Sequence, residues 1–148
     1  MQEVIQQLEA LVKEYAEKLS SISEDELVYK PSPLKWSRKE IIGHLVDSAQ
    51  NNIQRFVRVQ YESQPHIVYN QDVWVSVQDY QHYPVKELIQ LWKLLNTHLS
   101  IILQHIPENM YNRYVNTGKT EDQLHTVHFL AKDYAEHHLH HLKQIFQI

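Results

Sequence analysis

Trp36-Ser37-Arg38-Lys39-Glu40-Ile41-Ile42-Gly43-His44-Leu45-Val46-Asp47-Ser48-Ala49 is the stretch on which the fold turns. Ser37 followed three residues later by Glu40 is a capping-box pattern, in which each side chain satisfies the other residue's backbone N–H at a helix start. Trp36, just before it, is placed to staple onto the first turn. From there Ile41, Ile42, Leu45, Val46, Ala49, Ile53, Phe56 and Val57 recur at three and four, the spacing that lines one side of a helix with apolar groups. This helix is expected to run to about Tyr61. Its other side carries His44, Asp47, Ser48, Asn51, Arg55 and Arg58. A solvated face normally carries lysine and glutamate; a row of shorter hydrogen-bonding groups suits a pocket wall as well as it suits open water.

Working outward, Val4, Leu8, Leu11, Tyr15 and Leu19 repeat in the same way, with Ile5, Val12 and Ala16 beside them. They predict a first amphipathic helix ending near Ser20. Ser23 with Glu26 is a second capping box, suited to a short turn. Pro31 and Pro33 then exclude regular structure, since each lacks a donor and fixes φ. On the far side, residues 62–83 have no helical period. Asp72-Val73-Trp74-Val75 reads as a short strand, and Trp74, Tyr80, His82 and Tyr83 make the segment aromatic. Long connections of this kind are often functional. Pro84 opens a third long helix with a stripe of Leu88, Leu91, Trp92, Leu95, Leu99, Ile102 and Ile106, stopped by Pro107. Residues 112–118 read as a loop. Thr120 with Gln123 is a third capping box, expected to open the last helix, which runs toward Ile148. The expectation is an all-α four-helix bundle, one domain over residues 1–148, with a long loop between the second and third long helices.

Composition narrows the function. A formal charge of −4 leaves no basic footprint for nucleic acid. No apolar run approaches the ~18 residues of a membrane span, and the polar start does not read as a signal peptide, so a cytoplasmic protein is expected. With 0 Cys, disulfides, thiolate ligands and a cysteine nucleophile are excluded. With only 2 Gly, a phosphate-cradling glycine loop is excluded too. The unusual quantity is histidine, with 11 in the chain.

Four of these lie in Asp133-Tyr134-Ala135-Glu136-His137-His138-Leu139-His140-His141-Leu142-Lys143-Gln144-Ile145. At about 100° per residue, His137 and His141 are nearly superimposed at the margin of the apolar face. His138 falls on the core stripe with Ala131, Ala135 and Leu142 and reads as an interior, hydrogen-bonded histidine. His140 faces solvent. Two imidazoles at i, i+4 can share one cation but do not complete a site. His44, in the second long helix and outside its core stripe, is the candidate third ligand; the alternative is a pocket histidine that only hydrogen-bonds. His66, His82, His98 and His105 read as surface residues, and His128 as facing the core. Glu136 adjoins His137, so the Glu-x-x-His pairs of di-iron bundles are absent.

The two quoted stretches, Trp-Ser-x-x-Glu-x-x-x-His and His-x-x-x-His above all, resemble the DinB-like superfamily, which includes the YfiT-like metal-dependent hydrolases. The resemblance covers nearly the whole chain and is loosest around Asp72–Val75. It implies a bundle, often dimeric, that holds a divalent metal, zinc or nickel, on three histidines: by motif position His44, His137 and His141. Related members are described as thiol S-transferases, a thiol-dependent isomerase or hydrolases. The expectation is a metal-dependent enzyme that acts on a small molecule, with a low-molecular-weight thiol as a candidate substrate, and that forms a homodimer. Asp47, Asn51 and Arg55 would supply the catalytic groups: Asp47 to orient a ligand or relay a proton, Asn51 and Arg55 to hold an anionic group. The rival expectation is a non-catalytic, stress-related module in which the metal only braces two helices.

Overall fold

A computed structural model describes residues 1–147. Four long helices, α1 (Gln2–Ser20), α3 (Arg38–Arg58), α5 (Val85–His105) and α6 (Val127–Ile145), form a four-helix bundle. α5 and α6 each pack against both α1 and α3, which closes the bundle on four sides. Two short helices, α2 (Glu24–Val28) and α4 (Gln71–Val77), and a 3-10 turn at Tyr80–His82 lie along its edges. None of the described helices is long and apolar enough to cross a membrane.

The helix starts follow the capping chemistry. Ser37 N–H donates to Glu40 Oε2 at 2.8 Å and Glu40 N–H donates to Ser37 Oγ at 3.1 Å, so the box that opens α3 is complete. The Ser23–Glu26 box opens α2 in the same way. The apolar stripes fill two adjoining clusters. One is built on Leu19, Ile42, Leu45, Leu88, Trp92 and Leu142, the other on Leu8, Phe56, Leu99, Leu103, Leu130 and Ala131.

Several local expectations are corrected. Asp72–Val75 lies in α4 and is not a strand, because Asn70 caps that segment: its Oδ1 accepts from Asp72 N–H and Val73 N–H. The long connection is therefore partly helical. A small antiparallel hairpin, β1 (Tyr114–Asn116) and β2 (Leu124–Thr126), occupies the segment before the last helix, with Val115 opposite His125. Thr120 and Gln123 consequently form no capping box. Thr126 is the cap instead, its hydroxyl accepting from Phe129 N–H at 3.1 Å. The last helix ends at Ile145, and the expected end at Ile148 lies outside the described residues. α3 stops at Arg58 rather than Tyr61, and Val57, on its expected core side, is exposed. His125 belongs to β2, because α6 starts later than the capping pattern suggested, and His128, in the first turn of α6, faces solvent.

The polar side of α3 is inside the protein. His44, Asp47, Ser48, Asn51 and Asn52 are all buried. α4 and the 3-10 turn pack on this helix and cover part of it.

Candidate metal centre

α3 and α6 carry the site. They are neighbours in the bundle, and the i, i+4 pair on α6 is presented at the margin of its apolar face, toward His44. One nitrogen from each of His44, His137 and His141 can be chosen so that all three lie within 4.8 Å of one another. The ring centroids are 5.2 Å apart for His44 and His137, 4.8 Å for His44 and His141, and 4.5 Å for His137 and His141. His44 Nε2 and His137 Nε2 face each other at 3.4 Å. His44 is 1% exposed; the other two rings are half-buried.

Electrostatics keep the three rings neutral. Burial, and then the neighbouring charges of His141 and His137, pushes His44 down to about 3. Burial first, then His141 and His140, pushes His137 down to about 4. His141 is lowered by burial too, against its hydrogen bond to Gln144, which raises it. In that bond His141 Nδ1–H donates to Gln144 Oε1 at 2.9 Å, which leaves Nε2 as the ring's free lone pair. No carboxylate belongs to the group. Neutral imidazoles gathered without a compensating anion are a set of lone pairs suited to one cation.

The other three expected site residues share the α3 wall but are engaged elsewhere. Asp47 Oδ1 accepts from Tyr80 Oη–H at 2.6 Å and from Gln78 Nε2–H at 2.7 Å, while its buried Oδ2 has no partner. Burial raises the Asp47 carboxyl above its usual range, against both hydrogen bonds. Asn51 donates to the Asp47 carbonyl one turn back. Arg55 donates through Nη2 to the Ile67 carbonyl at 3.0 Å and through Nη1 to Asn52 Oδ1 at 3.4 Å; its buried Nε has no partner. Among the described residues none of the three hydrogen-bonds the imidazoles.

Other contacts have weaker sequence signals. The Trp36 ring lies 5.0 Å from the His44 ring and covers it. Gln144, which holds His141, sits three residues on along α6, a spacing that makes helix neighbours. Tyr80 reaches Asp47 only because Gly43 has no Cβ, whose place the tyrosine ring takes. His138, by contrast, is the interior histidine that was expected. It is fully buried, accepts from Trp92 Nε1–H at 2.8 Å and is pushed by burial down to about 3.

Two concavities adjoin the imidazoles' partners. One, of about 390 Å³, is lined by Trp36 and Gln144 together with Pro31, Leu34, Lys35, Gln71 and Asp72. The other, of about 670 Å³, shares Leu34, Lys35, Trp36 and Asp72 with it. A larger one, about 1030 Å³, lies between α1 and α5 and touches none of the three histidines.

Comparisons agree with this architecture. No curated protein matches the sequence. YfiT from Bacillus subtilis, described as a probable metal-dependent hydrolase with an unusual four-helix bundle topology, superposes with a TM-score of 0.88 at 21% identity, over 99% of this chain and 83% of that one. A DinB-like protein, YjoA of Bacillus subtilis, matches with a TM-score of 0.66 at 18% identity, over 97% of this chain and 87% of that one. A mycothiol-dependent maleylpyruvate isomerase matches with a TM-score of 0.77 at 12% identity; this chain, 97% covered, spans 60% of its length. At these identities the likeness is one of fold. The model of the DinB superfamily matches residues 5–145, nearly the whole sequence, and the chain belongs to that superfamily.

Proposed function

We propose that this protein is a divalent-metal-dependent enzyme of the thiol S-transferase or hydrolase type, acting on a small molecule, with His44, His137 and His141 holding the ion. The observation that carries this reading is the convergence of three neutral imidazoles from two helices. The donor set fits. Two nitrogens on one tetrahedral zinc, each about 2.0–2.1 Å from it, are about 3.3–3.4 Å apart, and His44 Nε2 and His137 Nε2 stand at 3.4 Å. Two lone pairs facing each other at that distance repel unless a proton or a cation lies between them. Three imidazoles suit zinc or nickel. They also leave a fourth tetrahedral position for a reactant. A bound ion would supply a Lewis acid that acidifies a water or a thiol near neutral pH.

The chain's own residues complete the reading. Gln144 fixes the tautomer of His141. Trp36 shields His44 from water. Asp47 can take up a proton at Oδ2, the oxygen without a partner. Arg55 hydrogen-bonds two neutral oxygens and no carboxylate, with Asp133 acting on it only through space, so its charge suits an anionic group, and Asn51 lies beside it on the wall. The names of two structural neighbours, a probable metal-dependent hydrolase and a thiol-dependent isomerase, favour the same chemistry.

The test is elemental analysis of untagged protein. Native protein should carry close to one zinc or nickel per chain. His44→Ala and His137→Ala should lose most of it while keeping their helical circular dichroism. Undiminished metal in folded variants rejects the assignment.

A further inference from the structure

We propose that the concave surface under Trp36 is a subsite for an apolar part of the substrate, and that Leu34 determines specificity there. This rests on reading the three imidazoles as the reactive centre. Two contacts make the surface continuous with them: Trp36 lies on His44, and Gln144 bonds His141, and both residues line the same concavity. The space beside the cluster therefore opens toward the loop that precedes α3 and toward α4.

The two sides of that space differ in chemistry. The loop side carries the apolar groups, Pro31, Leu34 and Trp36, with exposed Lys35 between the last two and Pro33 lining the adjoining concavity. The facing side is polar: Gln71, Asp72 and Gln144. Leu34 is 98% exposed, beside half-buried Trp36. A lone exposed leucine needs no explanation, but among the described residues this one is the most exposed of the large apolar side chains, and it lines both concavities that adjoin the site. The prolines at 31 and 33 hold φ of their own residues fixed, so this part of the loop loses less freedom when a ligand packs on it. The ligand that matches is amphipathic: an alkyl or aryl body against Leu34 and Trp36, and hydrogen-bonding groups toward α4.

The experiment uses a homologous series of straight-chain hydroxamic acids, from acetohydroxamic to octanohydroxamic acid, titrated into zinc-loaded protein. The hydroxamate end seeks the metal and the tail reports on the subsite. Each methylene that packs on the apolar side should tighten binding by between about two- and fourfold, the upper figure being full burial. Leu34→Ser, a change at an exposed position, should at least halve that gain per methylene with unchanged metal content. Val77→Ser, 73% exposed on α4 and outside both concavities, should leave it alone. An equal gain in Leu34→Ser, or no gain in the native protein, overturns the proposal. Protein that takes up no zinc would sink the metal reading instead. In that case the methyl resonances of Leu34 still decide the subsite: they should shift with octanohydroxamic acid and not with acetohydroxamic acid, and equal silence to both overturns it.

Discussion

Gly43 shows how one residue couples the helix to the connection that covers it. The Tyr80 ring occupies the space where a side chain at 43 would begin, and its hydroxyl is then carried to Asp47, one turn further along α3. Alanine is the better helix former by about 1 kcal/mol, yet Gly43→Ala should destabilise the protein by about 1–3 kcal/mol, because the buried ring must move. A denaturant midpoint equal to or above that of the native protein would remove the packing argument. Tyr80→Phe keeps the ring and deletes the hydroxyl, so any loss specific to the hydrogen bond appears separately, at about 1–3 kcal/mol for a buried carboxylate oxygen left with one donor. A glycine inside a helical stripe signals a close approach, but the sequence does not say of what. The histidines were more legible. The i, i+4 pair on α6 and the isolated His44 are local patterns, whereas Trp36 over His44 and Tyr80 on Asp47 depend on where a loop is laid down.

The elements divide in the same way. The four long helices could be read because their stripes are long and two of them begin beside strong signals, a serine box at Ser37 and Pro84 next to Val85. Of the short elements only α2 could be read, from its Ser23–Glu26 box; α4 and the hairpin could not. Asp72–Val75 holds two valines and a tryptophan, which suit a strand, and only the cap at Asn70 tips it to a helix. The hairpin pairs Tyr114–Asn116 with Leu124–Thr126 across a gap that no local period records. The Thr120 pattern could not compete with that pairing. Capping at α3 has an energetic consequence that capping at α2 lacks. Ser37 is fully buried, and its hydroxyl also donates to Gln81 Oε1 at 2.7 Å, tying the start of α3 to the loop before α5. Ser37→Ala should therefore cost about 1–2 kcal/mol, whereas Ser23→Ala, on a short exposed helix, should fall at the lower end of the capping range, near 0.5 kcal/mol. Equal losses in the two variants, measured by denaturant unfolding, would mean that the Gln81 contact contributes nothing.

Across the whole molecule, the interior is polar where a bundle of this size would gain more from leucine. His138 accepts from Trp92 within the core; His137 and His141 lie a turn or less away along α6, and His44 meets them from α3. Burial holds His44 and His138 down to about 3 and His137 to about 4. In the unfolded chain the same rings take up protons near 6.5. Between those limits the unfolded state binds more protons than the folded one, so stability must fall as pH falls. The stabilisation is intact above about pH 7 and is lost progressively from about 6.5 toward 4. Asp47, raised by burial, acts in the opposite sense, from the ordinary carboxylate range upward. Protein stripped of metal with a chelator should thus show a denaturant midpoint that is level above pH 7 and declines steadily below 6.5. His44→Gln should flatten part of that decline, since one of the rings that must stay neutral is gone. A level profile from pH 7 to 4.5 would contradict the burial of these rings. If zinc is restored, protons and metal compete for the same lone pairs. The loaded protein should then be the more stable form at pH 7, by a margin that shrinks with acid and closes once the ion is released. An unchanged margin down to pH 4.5 would place the ion somewhere other than on imidazoles.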